Sequence, residues 1–362
     1  MRVLFVVEHF HPYIGGVESL FYALGKALVD EGHQVGVVTT RHDTQLPQRD
    51  TIAGMEVHRV NAPNRYLFTL MAAPTVARLA RRYHLIHTTS YNAAWPAWIG
   101  GKLARKRVII TFHEVWGDLW LQLPWLKKWS AKLFRWYEAR LLRMRFHRFV
   151  AVSQHTGHAL AAHGVAPSLV KVIPNGVSYR DFAPYRSAHR DTRTFCYFGR
   201  LGASKGLDLL LPAWAAFAKN HRDAHLKLII PKYPKGWYRQ LLQTIEALDL
   251  SATLTLMHEL PRPQLLQEVA SSGCVVIPSY AEGFCFVAAE AVALEVPVIH
   301  SGKGALPEVA GGKVVEMKAQ TVEGVRTALE EAWQGKWQQV PVRQYPLQET
   351  VAAYQSLYRE VM

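Results

Sequence analysis

Cysteine and long apolar runs are scarce in this 362-residue chain, and both shortages exclude classes of protein. The three cysteines, Cys196, Cys274 and Cys285, are too few and too scattered for a disulfide framework or a cysteine-rich metal site. No apolar stretch approaches the roughly 18 residues of a membrane-spanning helix. The N-terminus reaches acidic Glu8 without a small-residue cleavage site, so no signal peptide is indicated. These shortages predict a globular protein of a reducing, cytoplasmic compartment.

Acidic residues are also few, and two common phosphate-binding motifs are missing. The 42 Lys and Arg against 28 Asp and Glu leave a net charge of +14, which predicts a polyanionic partner: a nucleic acid, an anionic membrane or a phosphate-rich substrate. Neither Gly-x-Gly-x-x-Gly nor Gly-x-x-x-x-Gly-Lys-Ser/Thr occurs, which argues against a dinucleotide fingerprint and a P-loop. The apolar fraction of 49% nevertheless suffices for a large core, and the length favours two domains.

Strand-length apolar runs alternate with helix-length stretches along the chain. In the first half they cover 2–8, 35–40, 85–89, 107–112 and 149–153, and a helix is predicted over 16–31. In the second half they cover 195–199, 226–231, 253–257, 274–278 and 296–300. Because most of these runs are apolar throughout, they are typical of parallel strands covered on both faces. We therefore predict an α/β protein of two Rossmann-like, doubly wound parallel-sheet domains.

The boundary between the domains falls in a segment rich in turn formers, 173–193, which we interpret as the linker. The domains are then 1–176 and 177–346. The amphipathic stretch 347–362 is predicted to end the chain as a helix that packs back on the first domain. Ligands of open parallel sheets bind beyond the carboxyl ends of the strands, so the expected site is the cleft between two such domains.

Glycines and paired cations follow two of the predicted strands. Gly15 and Gly16 open the first long helix, where free amides favour an anion, although an ordinary tight turn explains them equally well. Arg200 and Lys205 lie between a strand and a helix, so that two cations and a helix N-terminus can clamp a diphosphate. Two solvated charges in a surface loop are the alternative.

Two carboxylates bracket the start of a helix predicted near Phe286. Glu282 stands in the loop after the strand 274–278, and Glu290 follows eight positions later on the helix. The first can reach the reacting part of a ligand and the second a hydroxyl pair further along. The amides near Phe286 and Val287 are free to bind phosphate. A solvated pair of glutamates is the alternative.

Together these motifs resemble the retaining family 4 glycosyltransferases of the GT-B fold over nearly the whole chain. The motifs occur in the family's order: the glycine pair, TFHE with His113, VSQHT, IPNGVSYRDF, GRLGASKG and the Glu-x7-Glu pair. The resemblance implies transfer of a hexosyl unit from a nucleotide-diphosphate sugar to a saccharide or lipid-linked acceptor hydroxyl, with retention at the anomeric carbon. It also implies a role in the assembly of cell-surface polysaccharide, lipopolysaccharide or glycolipid.

The family's functional residues carry over position by position. Those implied at the donor diphosphate are Gly15, Gly16, Arg200, Lys205, Phe286 and Val287. Those implied at the donor sugar are Glu282, Phe284, Cys285 and, from the other domain, His113, while Glu290 is implied at the ribose. Of these, His113 and Glu282 are the expected catalytic residues. In family terms a donor phosphate oxygen takes the acceptor's proton, so no conventional base is expected.

The sequence also bears on metals and on departures from the family. Asp-x-Asp, with which metal-dependent sugar transferases hold a divalent ion, does not occur, so we expect neither a metal nor a cofactor besides the nucleotide-sugar co-substrate. Cys285 stands where the family usually has Gly, and Glu295 where Gly often precedes the next strand. The amide contact of Cys285 survives if its φ is negative. Its thiol also predicts sensitivity to thiol reagents.

The basic excess is concentrated in the segment 116–150, which carries eight basic and two acidic residues. Helical spacing there predicts one apolar face of Leu126, Trp129, Leu133, Tyr137, Leu141 and Met144, opposite Lys128, Lys132, Arg135 and Arg143. One interpretation is a helix that packs on the core with a solvated basic side. The other is that the basic face, with Trp116, Trp120 and Trp125 before it, rests on an anionic membrane or a charged acceptor, which places the protein at the inner face of the plasma membrane.

Two other functions remain open at this stage. A sugar phosphorylase or a nucleotide-sugar epimerase could use the same fold. A basic nucleic-acid-binding protein is the competing class, but it predicts a recognisable binding module that the sequence does not contain. We therefore expect no nucleic-acid partner.

Overall fold

The computed structural model describes residues 1–13, 15–123, 126–187 and 189–362. The chain divides into two compact units. The first unit comprises Met1–Leu121, Lys127–Gly176 and Leu347–Met362, and the second comprises Gln122–Leu126 and Val177–Pro346. The chain therefore passes from the first unit into the second and returns to the first with its last helix.

Each unit is built on one sheet of nearly all-parallel strands. The strands of the first sheet are β1 Arg2–Val6, β2 Gln34–Thr40, β3 Arg49–Ile52, β4 Met55–Val60, β5 Leu85–Thr89, β6 Arg107–Phe112, β7 Arg148–Ala151 and β8 Val170–Val172. Their order is β3-β4-β2-β1-β5-β6-β7-β8, and β3 alone among these described strands is antiparallel to its neighbour.

The strands of the second sheet are β9 Asp191–Phe198, β10 His225–Ile229, β11 Leu254–Met257, β12 Ser272–Ile277, β13 Val298–His300, β14 Gly312–Glu316 and β15 Gln338–Val340. Their order is β11-β10-β9-β12-β13-β14-β15, with β15 antiparallel at the edge. The two parallel-sheet α/β units confirm the predicted fold class.

Helices connect the strands and cover the sheets. They are α1 Gly16–Asp30, α2 Arg65–Ala80, α3 Ala94–Ala104, α4 Lys128–Leu142, α5 Gln154–Ala162, α6 Leu207–Ala218, α7 Lys235–Ala247, α8 Arg262–Ala270, α9 Phe286–Ala293, α10 Leu306–Val309, α11 Val322–Trp333 and α12 Leu347–Val361. The start of α9 at Phe286 confirms the helix predicted there.

Both faces of the first sheet are buried, for the reason that the apolar runs suggested. Side chains alternate along a strand, so Val3 and Phe5 of β1 enter one core while Leu4 and Val6 enter the other. The core of Val3 and Phe5 is completed by α1 and α12, and the core of Leu4 and Val6 by α2 to α5. This is the doubly wound arrangement.

A buried polar network attaches α12 to the sheet. His87 of β5 has no exposed surface, and its two ring nitrogens lie 2.6 Å from the Tyr358 hydroxyl and 2.7 Å from the Thr111 hydroxyl. The Tyr354 hydroxyl lies 3.1 Å from the same Thr111 oxygen. Burial, followed by the charge of His113, lowers the pKa of His87 to about 3. The imidazole is therefore neutral and fully hydrogen-bonded.

Several strands are not among the apolar runs of the sequence. The β3–β4 hairpin contains charged residues within a short alternating pattern, and its turn places Ala53 and Gly54 at positive φ. The edge strands β8 and β15, and β14 next to β15, are only three to five residues long. β9 begins at Asp191, four residues before the predicted start, because main-chain pairing with Ser272 extends it through polar residues.

The apolar stripe of α4 faces solvent over its first half, contrary to the core face predicted from its spacing. Trp129 and Leu133 are 67% and 50% exposed. The buried side is formed by Ala131, Glu138, Leu141 and Leu142. Glu138 can occupy a core position because its carboxylate accepts three hydrogen bonds there.

The tryptophans before α4 also lie differently from the membrane-facing arrangement predicted for them. The rings of Trp116 and Trp120 are 4.4 Å apart, and Trp120 packs on Phe134 of α4 at 5.1 Å. These two side chains are partly buried in an aromatic cluster because their contacts with each other and with α4 remove them from water. Trp125 lies outside the described residues.

Candidate functional site

Two loops at the carboxyl edge of the second sheet are joined by an ion pair whose carboxylate is buried and whose ammonium group is partly buried. The loop after β9 carries Lys205, and the loop after β12 carries Glu282. Lys205 Nζ lies 2.8 Å from Glu282 Oε1, and the Ser279 hydroxyl donates to the same oxygen at 2.7 Å. The Glu282 side chain is 7% exposed and that of Lys205 19%. The structure thus brings together two residues that the sequence places 77 positions apart.

Further hydrogen bonds and a close backbone approach hold the same two loops together. The Tyr280 N–H donates to the Ser204 carbonyl at 2.8 Å, and the Tyr280 hydroxyl donates to Asp208 Oδ2 at 2.7 Å. Gly206 has φ +70°, and a Cβ added to it would lie 2.0 Å from the Pro278 carbonyl oxygen. Glycine is therefore required at position 206, because the backbone is left-handed there and no room is left for a Cβ.

Arg200 and Lys205 occupy one loop but different environments. Arg200 is exposed, and its carbonyl accepts from the Tyr197 hydroxyl at 3.3 Å. Gly199, directly before it, lies 3.5 Å from Val287 of α9, measured from an ideal Cβ position. The cationic loop therefore approaches the start of α9, where unpaired helix amides favour an anion. An exposed positive charge and a helix N-terminus at one edge can together hold a phosphate group.

The N-terminus of α9 departs from expectation at Cys285. This residue caps the helix with φ +69°. The predicted amide contact required a negative φ at Cys285, so that condition is not met. Phe284 before it is buried, with its ring 5.4 Å from that of Phe286 and 5.2 Å from that of Tyr345. The left-handed conformation explains why glycine is usual here in the family, because a side chain adds strain.

Glu290 has a partner that sequence reasoning missed. Its carboxylate receives two hydrogen bonds from the Arg262 guanidinium of α8, at 3.1 and 2.8 Å. The guanidinium also lies 5.4 Å from the Phe182 ring centroid. Arg262 follows the strand β11 at the same sheet edge, and that position is the one signal in the sequence that could have identified it. It fixes the orientation of Glu290.

In the first unit, a carboxylate lies over the glycines that open α1. Gly15 is the N-cap residue in an extended conformation, and Gly16 is the first helical residue. A Cβ added to Gly15 would collide with the Glu18 carboxylate, which is buried in the first turn. An acidic group at a helix N-terminus is stabilising. It also places a negative charge where the sequence predicted a phosphate.

His113 directly follows β6 at the carboxyl edge of the first sheet. The loop after it is anchored by Glu138 of α4, whose carboxylate accepts from the backbone amides of Trp116 at 2.9 Å and Gly117 at 2.6 Å. The Tyr91 hydroxyl donates to it at 2.8 Å. Glu138, which no motif in the sequence singles out, therefore positions the segment that follows His113.

A second carboxylate missed in the sequence, Glu8, lies two residues after the end of β1 at this edge. It accepts from Asn92 at 2.8 Å and pairs with Arg65 at 2.9 Å and His9 at 3.2 Å. Burial raises the pKa of Glu8, but the hydrogen bond from His9 and the charge of Arg65 outweigh burial and leave it below the usual value. Glu8 is therefore ionised at neutral pH.

No group of three or more His, Cys, Asp or Glu side chains within the described residues is arranged to hold a metal ion. None of the helices that the described residues form is both long and apolar enough to cross a membrane.

Comparison with known families identifies both halves of the chain. The sequence profile described as "Glycosyltransferase Family 4" matches residues 14–180, and that described as "Glycosyl transferases group 1" matches residues 181–331.

Two curated relatives and one solved structure illustrate the similarity. The phosphatidylinositol N-acetylglucosaminyltransferase GPI3 subunit of Saccharomyces cerevisiae is 23% identical in an alignment of 339 positions that covers 88% of this chain and 72% of the relative. The GDP-mannose:cellobiosyl-diphosphopolyprenol alpha-mannosyltransferase of Xanthomonas oryzae is 29% identical in an alignment of 242 positions that covers 64% of this chain and 60% of that protein. The Anabaena HepE structure in complex with UDP-glucose has a TM-score of 0.71, 18% identity and coverage of 99% of this chain and 100% of that one.

Proposed function

Because the chain belongs to the family 4 glycosyltransferases, we propose that it transfers a hexosyl unit from a nucleotide-diphosphate sugar to an acceptor hydroxyl, with retention at the anomeric carbon. The observation that carries the proposal is the Lys205–Glu282 pair, which joins the cationic loop to the loop before α9. An ion pair that orders two loops at the carboxyl edge of a parallel sheet is suited to a charged ligand.

The proposed roles follow from charge and position. Arg200 and Lys205 stabilise the negative charge that develops on the departing diphosphate, with the N-terminus of α9 as a third source of positive potential. Glu282 holds donor-sugar hydroxyls, and Glu290, oriented by Arg262, holds the ribose. A donor phosphate oxygen takes the acceptor's proton. Protein cations then do the neutralisation for which other transferases use a divalent ion, so transfer proceeds without metal.

The first unit contributes two further residues to the proposal. His113 is the proposed contact to the donor sugar and the amide of Gly16 the proposed contact to the phosphates. Phosphate binding near Gly16 requires the Glu18 carboxylate to move or to remain screened by its neighbours, because like charges repel. Glu138, which anchors the loop after His113, is a positioning residue in this scheme.

The test is release of nucleoside diphosphate from UDP-, GDP- and ADP-sugars, with and without a phosphatidylinositol or diphosphopolyprenol-linked acceptor. We expect acceptor-dependent release that persists in a chelator. Arg200→Ala and Glu282→Gln should each lower kcat about a hundredfold or more, since each removes a charge aimed at the reacting groups. Lys219→Ala, which removes an exposed cation elsewhere in the second unit, is the matched control. Sugar interconversion without diphosphate release would instead indicate an epimerase, and phosphate-dependent sugar release a phosphorylase.

We further propose that the acceptor is lipid-linked and that the protein attaches peripherally to an anionic membrane through α4. Trp129, Leu133 and Trp136 form a stripe on one side of this helix and are 67%, 50% and 59% exposed. Exposed Lys128 and Lys132 flank the stripe. An apolar stripe bordered by cations favours the headgroup region of an anionic bilayer, where indole rings are most stable.

The neighbouring helix α2 extends this surface. Tyr137 of α4 donates to the Tyr91 carbonyl at 3.1 Å, and Thr69 of α2 donates to the Asn92 carbonyl at 3.2 Å, so both helices contact the same short segment. On α2, Tyr66, Leu70 and Met71 are 59%, 70% and 46% exposed. The apolar area offered to lipid is therefore larger than one helix supplies, and binding should scale with that area.

Sedimentation with phosphatidylcholine vesicles, with and without phosphatidylglycerol, tests the attachment. We expect binding that requires the anionic lipid and weakens with salt. The double change Trp129→Ser and Trp136→Ser should weaken it about tenfold or more. Tyr233→Ser, at a 48% exposed aromatic of the second unit, is the control. Binding that is unaltered in the double variant would contradict the assignment of α4.

A further inference from the structure

A strongly basic pocket lies in the first unit, at the opposite sheet edge from the loops described above. It has a volume of about 380 Å³ and is lined by five cationic side chains, Lys102, Arg105, Lys106, Arg107 and Arg145, together with Trp98. The end of α3, the first residue of β6 and the segment before β7 form it. Strands of a parallel sheet begin at one edge and end at the other, so this basic pocket is separate from His113 and Glu8 at the carboxyl edge.

The cations of the basic pocket carry no compensating acid among the described residues. No Asp or Glu lines the pocket, and none of the five cations forms an ion pair with a carboxylate there. The Arg107 guanidinium donates to the Val361 carbonyl, and Lys102 Nζ lies 3.8 Å from the Trp98 ring centroid. These contacts hold the cations in place without neutralising them. Five like charges around one cavity repel each other and create a positive potential that an anion would relieve.

The remaining polar side chain of the pocket, His147, also donates. The Val108 N–H donates to His147 Nδ1 at 3.1 Å, so the proton of the neutral ring resides on Nε2. Burial, followed by the charge of Arg107, lowers the pKa of His147 and favours that neutral form. Every polar side chain that lines the pocket is therefore a hydrogen-bond donor. Such a lining selects an anion made of acceptors, and phosphate, which carries more charge and more acceptor oxygens than a carboxylate, can use more of these donors at once.

One of the cations is held in a conformation that costs free energy. Arg105 caps α3 with φ +55°, where its N–H and that of Lys106 close the helix onto the carbonyls of Lys102 and Gly101. Glycine, which has no Cβ, would occupy this left-handed position at lower cost. Strain retained at a pocket is a reason to look for a role of the side chain.

We propose that the basic pocket binds a phosphate or diphosphate group, presented either by a soluble phosphorylated molecule or by a lipid headgroup. A cavity of this size accommodates a phosphorylated small molecule rather than a bare ion alone. Arg105 and Arg145 approach the group from the α3 side and the β7 side, and Trp98 supplies an apolar wall. The inference does not depend on glycosyl transfer, because none of these residues belongs to the proposed donor site.

Titration calorimetry with inorganic pyrophosphate tests the proposal on the full chain. We expect a second binding event besides the one at the donor loop. Arg105→Gly removes a cation while relieving the strained backbone, so it should fold at least as well as the parent. Combined with Arg145→Ser, it should weaken the second event about tenfold or more. The matched control, Lys219→Ser with Arg222→Ser, removes the same charge in the second unit and should leave it unchanged.

The two arms of the experiment distinguish the sources of the phosphate. Because α4 is itself proposed to bind anionic vesicles, sedimentation with phosphatidylcholine vesicles that contain phosphatidic acid is compared in the Trp129→Ser/Trp136→Ser background, with and without Arg105→Gly/Arg145→Ser. Loss of both pyrophosphate and vesicle binding indicates a lipid headgroup, and loss of pyrophosphate binding alone indicates a soluble ligand. Pyrophosphate binding that is unchanged in the variant overturns the proposal. Turnover of nucleotide sugars should persist in it, which separates this test from that of the proposed function.

Discussion

Acidification is expected to destabilise the first unit through the buried imidazole of His87. This side chain is fully enclosed beneath α12 and is bonded on both ring nitrogens, by Tyr358 and Thr111. Its pKa is lowered from 6.5 to about 3, first by burial and then by the charge of His113. The folded protein therefore keeps this ring neutral over a pH range in which the unfolded chain takes up a proton.

The sign and the magnitude follow from that difference. Because the folded pKa is lower than the unfolded one, the stability is fully present above pH 6.5 and is lost as the pH falls toward 3. Between pH 7 and pH 5 the linkage relation predicts a loss of about 2 kcal/mol in the free energy of unfolding from His87 alone. That loss is a substantial share of the total free energy of unfolding, which is roughly 5 to 15 kcal/mol for a typical folded protein.

The assay is urea denaturation at pH 7 and pH 5 of the parent and of His87→Gln. Glutamine can both donate and accept a hydrogen bond but does not titrate, so other groups contribute equally to both proteins. The variant should be less stable at pH 7, yet it should lose about 2 kcal/mol less than the parent on acidification. Equal losses in the two proteins would refute the reasoning, because the depressed pKa of His87 would then have no energetic consequence.

Three further predictions concern the second unit. Glu295 follows α9 at φ +61° and pairs with Arg186. Glu295→Gly and Glu295→Ala both remove that pair, but in thermal or urea unfolding the glycine variant should be more stable than the alanine variant by about 1 kcal/mol. Equal stabilities of the two variants would contradict backbone strain at this position. Arg262→Ala should raise the donor KM about threefold to tenfold with little change in kcat, because Glu290 loses its orientation, whereas an unaltered KM would remove Arg262 from the site. Cys285 is 7% exposed, so thiol reagents should label it slowly in the native protein and quickly in the unfolded protein. Rapid labelling of the native protein would show that the loop before α9 opens.

Much of the second unit's site could be predicted because its determinants are local. The start of α9 follows from the change from a turn-forming to a helix-forming sequence, and the spacing then places Glu290 on the helix. The carboxyl-edge rule brings the loops of Lys205 and Glu282 to one side of the sheet. Their direct pairing at 2.8 Å was not predicted, because side-chain contacts between distant loops depend on the path of both backbones.

The orientation of α4 shows where pattern reasoning fails. Its periodicity correctly indicates a helix, but the stripe of Trp129 and Leu133 is exposed and the acidic Glu138 is buried. Periodicity reports that a helix has an apolar side, not whether protein or another phase covers that side. Glu138 is buried because the amides of Trp116 and Gly117 need acceptors, and those amides come from a loop whose course the helix sequence does not encode.

The sequence by itself determined the two α/β sheets, the family and the residues that follow the strands. Strand burial, helix starts and motif order depend on residues that are close together in the sequence, so they can be read without the tertiary structure. The small number of acidic residues was also evident from the sequence, as a positive net charge. Only the tertiary structure decided where that charge collects: in a basic pocket formed by α3, β6 and the segment before β7, and beside an exposed apolar stripe on α4. The physical reason is that a charge acts through space. Cationic residues up to 43 positions apart converge on the pocket when the strands and helices that carry them pack on one another.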